Sequence, residues 1–135
     1  IDDSIVFQTD SLSIAFFDDQ IVGLCGQRKF FFYKDLYIVV HHDFVSRGIG
    51  NGLLTSFISS SPSRSLYLST IESPIYARAF NLYCKHGFKR IATFGPNVLM
   101  SNSLSPLTSD LTSILFFYSF HLLSSLKRFF ISLFS

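Results

Sequence analysis

The stretch of this 135-residue chain that offers most to chemistry is His41-His42-Asp43-Phe44-Val45-Ser46-Arg47-Gly48-Ile49-Gly50-Asn51-Gly52-Leu53-Leu54. It joins a β-branched apolar run directly to an amphipathic one, as a strand joins a helix. The first turn of such a helix carries backbone N–H groups without helical acceptors and the positive end of the helix dipole. Glycines let a phosphate approach those groups closely. Val45, Ser46, Arg47, Gly48, Ile49, Gly50 and Asn51 are therefore suited to hold a pyrophosphate. A lone GxG is a weak signal, and a tight turn without a ligand accounts for it equally well. Other phosphate patterns do not fit: there is no GxxxxGK[ST], and no GxGxxG with an acidic residue about 20 positions on. His41 and His42 are candidate bases. As neighbours on a strand they would point to opposite faces, so at most one faces a substrate and they do not chelate a metal together. Polar residues at a strand end are the plainer reading of both.

The elements around this turn follow from periodicity. Residues 12–17 suit a strand, Asp18-Asp19-Gln20 a polar turn, and residues 21–26 a returning strand, so the two form a hairpin. Residues 30–40 are strongly apolar and end in Leu36-Tyr37-Ile38-Val39-Val40, which suits a central strand covered on both faces. After the glycine turn, Leu53, Leu54, Phe57 and Ile58 share one helix face. Residues 66–71 read as a strand. Ser73 is a suitable N-cap with Pro74 at the first helical position. Ile75, Ala79, Leu82 and Tyr83 follow at helical spacing, and Gly87 ends that helix. Residues 88–93 and 97–100 are the last strands, so the order is β-β-β-α-β-α-β-β.

Composition narrows the class. The length suits one domain. The formal charge of +2 is spread without long basic runs, so no nucleic-acid partner is expected. Cys25 and Cys84 stand 59 positions apart and form no CxxC pair. That reads as two buried thiols in a reducing, cytoplasmic setting, with no disulfide framework and no metal site. The chain starts at Ile1 with no signal-peptide pattern, and the missing Met reads as a longer chain whose first residues are absent. Beyond Met100, Ser, Leu and Phe supply 24 of 35 residues. This places a boundary between a domain over 1–100 and a hydrophobic tail over 101–135. In the tail, apolar residues at 111, 115, 118, 122, 126, 129 and 133 make a helical stripe. Three readings stay open for it: packing on the domain, contact with a membrane surface or partner, or a compositionally biased extension. The uncharged stretch 111–126 is too short and too polar to be read as a membrane span.

Two segments together carry a family resemblance. Val40, Gly48, Ile49, Gly50, Leu53 and Leu54 match motif A of the GNAT acetyltransferases, an apolar strand followed by roughly V-x-P-x-x-Q/R-x-x-G-x-G/A and a helix. Ala79, Leu82, Tyr83, Gly87 and Phe88 match motif B, N-x-x-A-x-x-L/F-Y-x-x-x-G-F. The sequence departs at His42 for the usual Pro, Val45 for the usual Gln or Arg, and Tyr76 for the usual Asn. The resemblance covers about residues 12 to 100. It implies an α/β fold with a mixed, mostly antiparallel sheet and helices on both faces.

It also implies a function, acetyl-CoA-dependent transfer of an acetyl group to an amine by direct attack, with acetyl-CoA as co-substrate. Ile38, Val39 and Val40 would pair with the pantetheine arm, Val45 to Asn51 would hold the pyrophosphate, and Tyr76 would lie beside the coenzyme. Tyr83 falls on the position of the tyrosine that protonates the departing thiolate, and Glu72 lies near the place of a base in some members. The implied acceptor is a small-molecule or protein amine. Members usually begin with a strand and two helices that wall the acceptor site. Only about eleven residues precede the first hairpin here, so that wall is expected to be absent or replaced. A degenerate acyl-CoA-binding or interaction module is the alternative, and a homodimer is compatible with either.

Overall fold

The protein is described by a computed structural model covering residues 4–9, 11–30, 33–60, 65–103 and 108–134. Asp18 and Asp19 set the first reversal. Both have positive φ, 48° and 64°, as a two-residue hairpin loop of the type I′ kind requires, and Asp tolerates that region better than most residues. They join β2 (Ser13–Phe17) to β3 (Gln20–Phe30) with Phe17 opposite Gln20. An unpredicted strand, β1 (Ile5–Thr9), pairs antiparallel with β2. Only five residues long, it alternates weakly: Ile5 is buried, Val6 exposed, and the Phe7 ring lies directly over Gly52.

The apolar run over 30–40 is not one strand. β3 continues to Phe30, and β4 (Tyr33–Val40) returns beside it with Phe30 opposite Tyr33. The run Phe30-Phe31-Phe32-Tyr33 contains none of the turn residues that announce a hairpin, and residues 31 and 32 lie outside the described part. Nor is β4 central. It closes a four-stranded sheet, β1-β2-β3-β4, and a second sheet has the order β5-β7-β6. Here β5 is Tyr67–Ile71, β6 Lys89–Phe94 and β7 Asn97–Ser101, all antiparallel.

No ladder joins β4 to β5 among the described residues. Asp35 bridges the two sheets instead. Its Oδ1 accepts from the Ser69 backbone N–H at 3.1 Å, and its Oδ2 accepts from Arg28 Nη2 at 2.6 Å. A buried carboxylate satisfied by a backbone donor and a guanidinium holds a fixed separation where no strand pairing exists.

Helix α1 (Ile49–Ser60) lays its apolar face on the first sheet: of the four residues expected there, Leu53, Leu54 and Phe57 are buried and Ile58 is partly buried, and Ile49 joins them. Val22, Cys25, Leu36, Leu68, Phe88, Val98 and Met100 complete that core. Cys25 is buried as expected, and burial pushes its thiol up to about 12. Cys84 is exposed, contrary to expectation.

Helix α2 (Ala77–Lys85) starts later than predicted. Ser73 is held extended, as a residue before Pro tends to be, and its side chain makes no cap hydrogen bond. Pro74 opens a single 3-10 turn, Pro74–Tyr76, which leaves Ile75 off the helix and 87% exposed. The far end is as read. Gly87 has φ +87°, its N–H donates to the Cys84 carbonyl, and the Phe88 N–H donates to the Tyr83 carbonyl. This is a Schellman cap, and the Tyr83 and Phe88 rings pack 6.2 Å apart across it.

The last described element is one long helix, α3 (Thr108–Phe134), packed on β6. Phe117 is buried in a second small core with Tyr67, Ala92 and Leu99.

Candidate functional site

The open edge of β4 is where the parted sheets leave backbone groups for something else to pair with. The His41 N–H donates to the Val22 carbonyl on β3 at 2.8 Å. In an antiparallel pair both polar groups of a residue point to the same side, and sides alternate along the strand. Val39 therefore also turns toward β3, while Ile38 and Val40 present N–H and C=O toward β5. The Val39 side chain is more than half exposed, and it lies on the sheet face opposite to Ile38 and Val40, which line a cleft of about 390 Å³. Of the three strand residues expected to meet a coenzyme, two are so placed and Val39 is not.

The glycine turn forms the next wall. The strand ends at Val40, and His42–Phe44 is a 3-10 turn, so strand alternation does not govern the two histidines. Their rings stack 4.4 Å apart, and the Asp43 N–H donates to His41 Nδ1 at 3.1 Å. One ligand atom from each of His41, His42 and Asp43 lies within 4.8 Å of the others, and all three residues are exposed. Ser46 and Gly48 follow at φ +68° and +79°. Two such residues, two positions apart, fold the loop back on the head of α1. The Gly52 N–H to Gly48 carbonyl bond is the first of the helix, at 3.0 Å. The N–H groups of Ile49, Gly50 and Asn51 precede it and have no acceptor within the helix.

Helix α2 supplies the third wall. Tyr76, Arg78, Ala79, Leu82 and Tyr83 line the same cleft as Val45, Ser46, Gly48, Ile49, Gly50 and Asn51. Two contacts hold the helices together there. His86 and Asn51 meet through Nε2 and Oδ1 at 2.8 Å, and a Cβ at Gly50 would stand 3.2 Å from Leu82. Tyr83 is half-buried. Burial, then the nearby Cys25 and Asp35, raise its pKa above the ordinary 10.0, so the phenol stays protonated as a donor.

Arg78 was not anticipated. Its Nη1 donates to Ser46 Oγ at 2.7 Å, which brings a guanidinium to the glycine loop. The signal was present: a cation in the first turn of a helix opposes the helix dipole, so such a residue calls for an electrostatic reason. Phe44, also unanticipated, lines the cleft beside it. Arg47, the expected substitute for the missing polar group at Val45, sits over the Phe44 ring at 4.8 Å and is not part of the cleft wall. Glu72 is also elsewhere. It pairs with Arg90 and borders a separate depression with Pro74 and Phe80. Lys85, Lys89 and Arg90 are exposed.

No family model and no curated protein sequence matches the chain. Solved structures do. PH1933 from Pyrococcus horikoshii OT3 is 26% identical, with a TM-score of 0.61 over 71% of this chain and 66% of that one. An acetyltransferase of the GNAT family from Streptococcus pneumoniae is 25% identical, with a TM-score of 0.56 over 67% of this chain and 64% of that one. The protein yncA of Salmonella typhimurium, a proposed acetyltransferase solved with its cofactor acetyl-CoA, is 15% identical with a TM-score of 0.59 over 72% of this chain and 66% of that one. The chain spans 64–66% of the length of these three structures. The two sequence motifs and the likeness of the folded chain lead to one conclusion: this protein has the fold of the GNAT superfamily of N-acetyltransferases.

Proposed function

We propose that this protein is an acetyl-CoA-dependent N-acetyltransferase acting on an amine. The observation that carries the reading is a single cleft that combines the open backbone edge of Ile38 and Val40, the N–H groups at the head of α1 that have no helical acceptor, and the protonated Tyr83. These parts fit an acyl-coenzyme A. The N–H groups of Ile49, Gly50 and Asn51, with Arg78, suit a pyrophosphate. The edge of β4 suits an amide-bearing arm, and its N–H groups suit a developing oxyanion. Acetyl-CoA supplies an activated thioester carbonyl. The amine nitrogen bonds to that carbon and gives up a proton to water, the C–S bond breaks, the Tyr83 O–H gives its proton to the sulfur, and the phenolate recovers a proton from water.

A second reading, a binding module without turnover, is favoured by one specific observation. Among the described residues lining the cleft there is no carboxylate, histidine or lysine to take the amine proton. Catalysis then relies on bulk water or on a group outside the described residues.

Ligand linkage tests the assignment. Acetyl-CoA at about 100 times its Kd should add roughly 2.7 kcal/mol of stability and raise Tm. Arg78→Ala and Gly48→Val should each reduce that shift. A well-folded protein showing no shift with millimolar acetyl-CoA overturns the coenzyme assignment. A shift without thiol release across a panel of amines moves the protein to the second reading.

A further inference from the structure

The apolar stripe of α3 faces away from the domain. The helix sits on β6 and β4, with Ser113 and Phe117 buried and the His121 ring stacked on Phe94 at 5.8 Å. At about 100° per residue the stripe from Leu111 to Leu133 lies roughly 145° round from Phe117. Its members Leu111, Leu115, Tyr118, Leu122, Leu126, Phe129 and Leu133 are 40–67% exposed, Tyr118 the least because its ring also meets Phe94 at 6.4 Å. We propose that α3 is an in-plane anchor that lays this stripe into the surface of an anionic lipid bilayer, with the domain seated on its other side.

One observation favours a bilayer over a second copy of the chain, and another favours lying in its surface over crossing it. The stripe itself stays on one side for about 33 Å. The first observation is charge. Lys127 and Arg128 are the only charged residues from 111 to 134; both are exposed and lie on the side of the helix away from the stripe, about 120–140° from its midline. Cations above an apolar face complement acidic headgroups, whereas a second α3 has no carboxylate in that span to offer them. The second is the way the helix is held. The stretch Leu111–Leu133 is long and apolar enough to cross a membrane, but crossing would strip Ser113, Phe117 and His121 from the domain. Lying in the surface plane keeps those contacts.

Flotation of the full chain with lipid vesicles tests this. The chain should float with vesicles of phosphatidylcholine mixed with phosphatidylserine and do so weakly with phosphatidylcholine alone. Lys127→Gln and Arg128→Gln should each weaken binding to the mixed vesicles about fivefold. Leu122→Ser with Leu126→Ser should reduce it at least tenfold, and a cooperative melt confirms that this variant folds. Because wild-type flotation needs no variant, absence of binding to the mixed vesicles overturns the proposal by itself. So does equal binding by the double serine variant. A concentration-dependent dimer in sedimentation, abolished by the same serines and without vesicle binding, assigns the stripe to self-association instead.

Discussion

Replacing Tyr83 by Phe removes one O–H and keeps the ring. The ring is held by α2 and by its packing on Phe88 across the Schellman cap, and the cap itself uses only backbone groups of Tyr83, Cys84, Gly87 and Phe88. The variant should therefore keep its fold, with less than about 1 kcal/mol of change. The effect on turnover follows from proton affinities. A free thiol has a pKa of about 8.5, and burial holds Tyr83 above its ordinary 10.0. Transfer from phenol to thiolate is uphill by at least about 1.5 units, near 2 kcal/mol. General acid catalysis is typically worth ~100- to 10,000-fold, and that mismatch places this case at the lower end. We expect kcat to fall about 10- to 100-fold while the acetyl-CoA-induced Tm shift is preserved. The assay follows release of the coenzyme thiol under saturating amine and compares kcat and KM separately. Equal kcat in both proteins refutes the acid role. A raised KM with unchanged kcat shows that the O–H serves binding instead.

Three further outcomes follow from the geometry. Arg78→Ala removes the guanidinium at the glycine loop, and because hydrogen bonds to charged groups are worth about 1.5–3 kcal/mol, acetyl-CoA affinity should drop roughly 10- to 150-fold with a weakened salt dependence in calorimetry. Phe117→Ala empties the middle of the second small core and should cost about 3 kcal/mol in denaturant titration; a change under about 0.5 kcal/mol would mean that α3 does not share the core. His86 is held below its ordinary 6.5 by burial and then by the Lys85 charge. The unfolded chain therefore binds that proton first as pH falls, so the contribution is complete above 6.5 and is lost as pH drops from 6.5 toward the lowered folded value. Wild type should lose more Tm than His86→Gln on acidification through that window, and parallel pH profiles would refute it.

What could be read before folding was local. Asp18-Asp19, the glycine turn, the α1 face of Leu53, Leu54 and Phe57, and Gly87 each carry their geometry in backbone preference or in a period of 3.6, which neighbours in sequence suffice to express. Motif spacing added the resemblance to the GNAT fold, because Gly48, Gly50, Ala79 and Tyr83 keep their order along the chain. Other features depended on distant partners. β1 is too short to show its alternation, and it is a strand because β2 and Gly52 receive it. β4 reads as a central strand yet stands at an open edge, since pairing is a property of two strands and nothing in Ile38-Val39-Val40 says which neighbour is missing. Val39 leaves the cleft and Arg78 enters it for the same reason: which way a group points depends on register and on the docking of α2. Glu72 was misplaced because Arg90, 18 residues on, draws it to another surface. The stripe on α3 was legible, but its direction was not. A helical period shows that an apolar face exists, and only the packing of Phe117 against Tyr67, Ala92 and Leu99 decides that this face turns outward.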